Sequence, residues 1–369
     1  MKIDANSVTF EPQDMAFVKK FGILKATEMA LDYHAEHPNL PFLYDAEQLA
    51  GFLGISRGEL NDIVNHIQKE YKEAHLPKKD GTYRSLCVPS IRLRFCQDPI
   101  KEKILPQLPV SKFATAYQKG STTRGNAEPH IGKKFLLKLD ITDFFGSITF
   151  EQVQRTAFNT RYVSRQVGYL LTSLCCKDDS LPQGAATSPA LSNIVMYRFD
   201  DYIGRWCSQR QIAYTRYCDD MTFSANRPLY GVYQKVKTML REMGFELNES
   251  KTHFIGNDNR QSVTGLVVNE KLSIPSGYKR DLRQEVYYAL KFGVEDSVLH
   301  GHRSDFVEDG RPICCPTYML HLMGKVQYVL QIEPENLWFK DAQKKLLAYI
   351  YEHYSESLSY YLHFNKNGK

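Results

Sequence analysis

Long apolar runs are missing from this chain: nothing approaches the roughly 18 consecutive apolar residues that a bilayer-spanning helix needs, so an integral membrane class is excluded. A large charge of one sign is missing too. The 47 basic and 42 acidic residues leave only +5, an excess compatible with anionic partners but too small for binding by bulk charge. CxxC spacings are absent among the eight cysteines, two pairs of which are adjacent, Cys175/Cys176 and Cys314/Cys315. Neither zinc nor redox use is signalled, and reduced thiols are expected. The opening residues, MKIDANSVTFEPQ, lack the basic start and apolar stretch of a secretory signal, so the expected location is the cytoplasm. No internal repeat or low-complexity tract occurs. What remains is an ordinary globular composition, 43% hydrophobic and 24% charged, over 369 residues. At roughly 150 residues per domain that is about two and a half domains, enough to shape a deep cleft.

The first seventy or so residues read as helices. Asp45 with Gln48 and Ser56 with Glu59 have the spacing of reciprocal N-terminal caps, and Leu60, Ile63, Val64, Ile67 and Tyr71 form one apolar stripe after the second. Such short helices suit either packing on a larger domain or a DNA-reading helix-turn-helix, and the former is the simpler. The segment PKKDGTYRSLCVP reads as a hairpin turning at Asp80-Gly81. Residues 135–139 read as a strand running into DITDFF, where Asp140 and Asp143 precede an aromatic pair. Ser188-Pro189 reads as the cap and first-turn proline of a long helix directly after LPQGAAT, with Leu191, Val195, Phe199, Tyr202 and Trp206 on one apolar face. Residues 212–225 read as two strands flanking a four-residue YCDD turn. A helix bearing Val232, Val236, Met239, Leu240 and Met243 stops at Gly244 before the strand-like FELNESKT. The order strand, helix, hairpin, helix, strand predicts an α+β sheet layered with helices on one face. Beyond it lie a helix with Leu282, Val286, Ala289 and Leu290, and a tyrosine-rich helical end holding Tyr349, Tyr351, Tyr354, Tyr360 and Tyr361.

Asp140 and Asp143 after one strand, and Asp219 with Asp220 at a hairpin tip, are the sharpest chemical signal. Like charges about 4 Å apart cost several kcal/mol near a protein surface, so such a cluster stays ionised only beside cations. Oxygen ligands without a histidine or cysteine constellation select a hard ion such as Mg2+. Two such ions can clamp the attacking and leaving oxygens of a phosphoryl displacement, which implies nucleotide transfer.

DxxDFF, LPQGxxxSP, YCDD and GFELNESKT fall in the order and spacing of reverse transcriptase palm motifs, and NAEPH at 126–130 and VTG at 263–265 narrow the likeness. From about residue 76 onward the chain resembles the bacterial retron reverse transcriptases. Cys218 departs from the usual YADD, which is expected to alter packing near the primer end and leave metal binding intact.

The resemblance implies a right-hand polymerase: an N-terminal helical region over 1–75, fingers over 76–135, a palm over 136–274 and a helical thumb over 275–369. It implies Asp140, Asp219 and Asp220 as metal ligands for two Mg2+ ions, with Mn2+ able to substitute, and Asp143 as structural or a helix cap. Lys251 would be a general acid to the pyrophosphate. Lys79 (or Lys78) and Arg84 would hold the triphosphate, Gln183 and Gly184 would lie against the incoming nucleotide, and Phe145 would exclude a 2′-hydroxyl, one of Phe144 and Phe145 being core. Asn126, His130, Val263, Thr264 and Gly265 are the retron-specific positions, a scaffold or RNA-contact element. Tyr117, Lys119, Lys133 and Lys134 suit RNA stacking and phosphate contact.

Separately from the resemblance, Lys279, Arg280 and Arg283 crowd the first turn of a helix, where cations are slightly unfavourable unless a phosphate backbone lies against it.

The expected activity is RNA-directed DNA synthesis on a cognate structured noncoding RNA (msr-msd), primed from an internal guanosine 2′-hydroxyl, giving multicopy single-stranded DNA for antiphage defence. Partners implied are that RNA and its DNA product, deoxynucleotides, and a separately encoded effector. The alternatives are another bacterial reverse transcriptase, of group II intron or abortive-infection type, and a noncatalytic RNA scaffold restraining a toxin.

Overall fold

The computed structural model describes residues 2–4, 7–77, 81–300, 306–308, 311–312 and 315–354. Contacts divide the chain into two compact units, Met1–Thr122 with Lys134–Phe254, and Thr123–Lys133 with Ile255–Lys369. No helix among the described residues is long and apolar enough to cross a membrane.

The first unit is built on a sheet whose strands are ordered Ala213–Tyr217, Asp220–Ala225, Phe135–Asp140 and His253–Gly256. The first three are antiparallel neighbours, with Leu137 opposite Phe223, Leu139 opposite Met221 and Asp140 opposite Asp220. Because side chains alternate along a strand, Leu137, Leu139, Met221, Phe223 and Tyr214 share one face and enter the core. Lys138, Asp140, Thr215, Thr222 and Asp220 share the other. That second face is not the open surface expected of a one-sided sheet: Thr215, Thr222 and Ser224 are buried. The helices Ser188–Ser208 and Tyr230–Glu242 bury Leu191, Val195 and Phe199, and Val232, Val236 and Leu240, in the same core.

Sequence-level expectations hold in part. Asp45 accepts from the Gln48 amide, although Gln48 turns its own oxygen to the Tyr44 amide. Ser56 and Glu59 form the full reciprocal cap. Leu60 and Ile63 are buried in the core, which favours packing over DNA reading. The stripe breaks, however, because the helix Arg57–Asn65 gives way to a 3-10 turn and Tyr71 opens a strand. The PKKDG hairpin forms, pairing Tyr71–Pro77 with Tyr83–Pro89, and Gly81 takes a φ of 82°.

Ser188 is not the cap of the long helix. It lies inside the first turn and donates its hydroxyl to the Pro182 carbonyl, fastening LPQG to the helix start. Tyr202 also leaves the predicted apolar face and is 50% exposed. At 3.6 residues per turn the inner row runs through 195, 199 and 203, so residue 202 turns outward.

In the second unit, Ser276–Phe292 buries Leu282, Val286 and Ala289 as expected. Cys315–Ile332 and Leu337–Tyr354 are helical, the latter holding Tyr349, Tyr351 and Tyr354, whereas Tyr360 and Tyr361 lie outside the described residues.

Candidate active site

A cleft of about 970 Å³ opens at the end of the sheet, lined by Asp140, Asp219 and Asp220, by Arg84 of the hairpin, by Phe145, and by Gln183 and Gly184. Register brings the acids there. Asp140 ends its strand directly opposite Asp220, and Tyr217 is also paired with Asp220, so the YCDD turn is tighter than four residues: Cys218 and Asp219 alone form its tip. Cys218 adopts a φ of 61°, a left-handed conformation that costs a non-glycine residue about 1 kcal/mol or more.

Two backbone bonds fix this tip, the Ile141 amide donating to the Asp219 carbonyl at 3.2 Å and the Asn248 amide to the Asp140 carbonyl at 2.8 Å. A third support comes from a fully buried ion pair. Arg216 meets Asp200 of the long helix at zero exposure on both sides, also donates to Asn193, and reaches the Cys218 carbonyl at 2.8 Å. Sequence reasoning passed over Arg216. Its signal was there, since strand alternation aims this charge inward beside Tyr214 and Met221, where an arginine must find a partner.

Opposed carboxylates on paired strands repel. Burial first, then the charges of Asp219 and Asp140, hold the Asp220 carboxyl above the usual range, with Lys138 pulling the other way. Asp140 is 6% exposed, and Lys251 Nζ donates to both its oxygens at 3.0 Å. That bond raises the Lys251 ammonium above its ordinary pKa. FELNESKT is thus less a strand than expected: Leu247 makes one bridge to Ile141, and a 3-10 turn capped by Asn248 delivers Lys251.

Phe144 is buried at 3% exposure against Phe245, while Phe145 is half-buried and faces the cleft, so one ring is core and one is not. The Gln183 carbonyl accepts from the Cys87 amide at 2.6 Å. Gly184 has a φ of 123°, and a Cβ there would lie 2.7 Å from the Cys87 carbonyl oxygen. Only glycine allows LPQG and the hairpin to approach so closely. The Tyr117 hydroxyl donates to Cys218 Sγ at 3.1 Å, a bond that an alanine at this position could not accept. Burial pushes the Cys218 thiol up to about 11.

Asp143 takes a φ of 42° and accepts from the Ser147 amide through its carbonyl; it shapes the turn rather than capping a helix. Among the described residues no three acidic, histidine or cysteine side chains converge tightly enough to hold a metal ion. The donor chemistry nevertheless fits a hard divalent cation: the cleft's acids are all carboxylates, and their crowding raises Asp220.

The family model for reverse transcriptase (RNA-dependent DNA polymerase) matches residues 76–268. The chain belongs to the reverse transcriptases. Retron Ec86 reverse transcriptase of Escherichia coli is 28% identical, over 72% of this chain and 84% of that protein. Retron Mx65 reverse transcriptase of Myxococcus xanthus is 31% identical, over 80% of this chain and 70% of that one. Retron Ec83 reverse transcriptase of Escherichia coli is 34% identical, over 59% and 75% respectively. A solved telomerase from Candida albicans overlaps 82% of this chain and 67% of its own at 12% identity and a TM-score of 0.42, too remote to inform the site. This retron reverse transcriptase is therefore an RNA-directed DNA polymerase with the α+β right-hand fold of its family.

The retron-specific positions gather in the second unit. Thr264 (φ 44°) and Gly265 (φ 82°) form a two-residue turn between Ser262–Val263 and Leu266–Val267, as tight hairpins require. Asn126 donates to the Thr264 hydroxyl at 3.4 Å, and that hydroxyl donates to the Thr123 carbonyl at 3.2 Å. Asn126, His130 and Val263 are buried, and the Asn126–Thr264 bond joins NAEPH to VTG. Burial first, then Lys133, pushes His130 down to about 3.

Of the three cations at 279–283, Lys279 pairs with Glu333 at 2.7 Å and the Arg283 guanidinium lies over the Trp338 and Phe339 rings, while Arg280, 80% exposed, makes only a solvent-exposed pair with Asp281 at 3.5 Å. Lys79 lies outside the described residues.

Proposed function

We propose that this enzyme copies part of a cognate structured noncoding RNA (msr-msd), starting from an internal guanosine 2′-hydroxyl, into multicopy single-stranded DNA that serves antiphage defence in the cytoplasm with a separately encoded effector. The observation that carries its catalytic core is the pairing of Asp140 with Asp220 beside Asp219, at the mouth of a cleft also lined by Arg84, Gln183 and Gly184. Asp140, Asp219 and Asp220 would hold two Mg2+ ions, or Mn2+ in their stead. Such ions activate the attacking hydroxyl and stabilise the leaving pyrophosphate.

The chain's own residues supply the rest. Arg84, with Lys79 or Lys78, grips the triphosphate, the arginine through its fork geometry. Gly184 admits the nucleotide against bare backbone, Gln183 lies beside it, and the Phe145 ring collides with a ribose 2′-hydroxyl. Lys251, charged at neutral pH and lying on Asp140, donates the proton that the leaving group needs. In this reading residues 1–75 form an N-terminal helical region, 76–135 the fingers, 136–274 the palm and 275–369 the thumb. Arg280 is the thumb-helix cation freest for phosphate, and the buried NAEPH–VTG scaffold presents the retron-specific surface.

The test is labelled-deoxynucleotide incorporation by protein purified with its native RNA. Asp219→Asn is expected to lower incorporation at least about 10²-fold, the scale of losing one charge-stabilising group. Equal extension by wild type and variant would overturn the site. No extension by either would favour an RNA scaffold.

A further inference from the structure

The outer face of the long helix Ser188–Ser208 carries a row that the polymerase site does not use. Arg198, Tyr202 and Trp206 follow one another every fourth residue, a spacing that stacks side chains along one stripe, and Arg210 follows in the turn just past the helix end. The Arg210 guanidinium lies 4.5 Å from the Trp206 ring centre. From the neighbouring helix Tyr230–Glu242, Lys235 reaches between the two rings, 5.0 Å from Tyr202 and 5.4 Å from Trp206, and donates to the Tyr202 hydroxyl at 3.1 Å. The stripe continues past Tyr197 into a recess of about 620 Å³ edged by Arg155, Arg161 and Arg198, with Tyr162 on its wall and Phe199 and Met243 on its floor. No acidic side chain among the described residues pairs with any of those three arginines. That recess shares Tyr197 and Arg198 with a second depression, which in turn shares Tyr202 with a third, so the three run on as one track.

Six cationic side chains line this track against two acidic ones, Asp201 and Glu242, and Asp201 is already paired with Arg205. None of its residues lines the catalytic cleft. Along the helix the track extends about 20 Å at 1.5 Å per residue, room for several nucleotides of an extended strand.

We propose that this track binds a single-stranded stretch of the RNA substrate outside the copied region. The choice of RNA rests on the RNA-directed activity; the choice of a single strand rests on the surface. The exposed Tyr202 ring and the partly buried Trp206 ring beside it offer edges and faces on which unpaired bases can stack, and the cations beside them meet the phosphates. A protein partner fits less well, because protein interfaces keep charge away from their centres, whereas here Lys235 sits between the two rings.

The test uses the full chain with its cleft saturated by poly(rC)·oligo(dG), which does not pair stably with uracil or thymine, and fluorescein-labelled U12 RNA as the probe in an anisotropy titration. Arg198→Gln/Arg210→Gln/Lys235→Gln, a set that removes three charges and keeps polar side chains, should weaken U12 binding tenfold or more. It should also flatten the salt dependence by about two, at roughly 0.7 per lost single-strand phosphate contact. Extension of oligo(dT) on poly(rA) by the variant should match wild type, which shows that the fold and the catalytic site are intact. Unchanged U12 affinity and slope would overturn the proposal, and equally tight binding of dT12 by the wild type would overturn the assignment to RNA. Failure of the wild type to extend oligo(dT) would instead count against the polymerase site, a result distinct from either.

Discussion

Gly184 lies where a side chain has no room: its φ of 123° and the 2.7 Å from a would-be Cβ to the Cys87 carbonyl oxygen both forbid one. Gly184→Ala should therefore push LPQG away from the hairpin. We expect a loss of about 1–3 kcal/mol in stability and a raised KM for deoxynucleotides, read by thermal unfolding and steady-state kinetics. A normal KM would mean that the close approach serves packing alone. The motif letters singled out Gly184, though for the approach of a nucleotide and not of the hairpin backbone that the structure places against it, and they singled out Asp140, Asp219, Asp220 and Phe145 as well. The letters could not say which neighbour enforces the glycine, because Cys87 is nearly a hundred residues away in sequence. Nor could they reveal that Ser188 bonds the Pro182 carbonyl, since serine before proline at a helix start reads equally well as a cap.

At the scale of elements, the hairpin carrying Asp219 depends on an ion pair buried between strand and helix. Arg216 and Asp200 are both fully buried, and removing one partner leaves the other charged without compensation, at a cost of about 3–5 kcal/mol. Arg216→Met should lower the melting temperature sharply and reduce incorporation, because the Cys218 carbonyl loses its donor. The double variant Arg216→Met/Asp200→Leu should recover most of the stability but not the activity. If both recovered together, Arg216 would be a packing residue with no hold on the turn. Periodicity found the strands and helices themselves, because alternation and the 3.6-residue repeat are local. It misassigned Tyr202, since an aromatic ring fits an inner or an outer row and only packing against the sheet decides which.

For the whole molecule, acid sensitivity is expected to reside in the second unit. His130 is fully buried there and held down to about 3, whereas in the unfolded chain it titrates near 6.5. The folded form thus stays neutral while the unfolded form takes a proton. The stability gained by keeping His130 neutral is complete above pH 6.5 and declines as pH falls toward 3, by up to about 1.4 kcal/mol per unit. Between pH 6.5 and 4, hydrogen exchange should quicken in the helices of 276–354 before the sheet of the first unit. His130→Gln should lower the neutral-pH stability and flatten this acid limb. An unchanged acid limb in that variant would assign the sensitivity to another group.

The sequence by itself determined which chemistry is present: the order of DxxDFF, LPQG, YCDD and the lysine after FELNES is covalent, and so are the local periods that write strands and helices. Tertiary structure alone decided what meets what. Asp140 faces Asp220 across some eighty residues because a strand register was chosen, Lys251 rests on Asp140 because a 3-10 turn delivers it, and Lys235 reaches between Tyr202 and Trp206 because two helices lie side by side. Such contacts are fixed by burying the apolar faces of distant segments together, and no local pattern records that outcome.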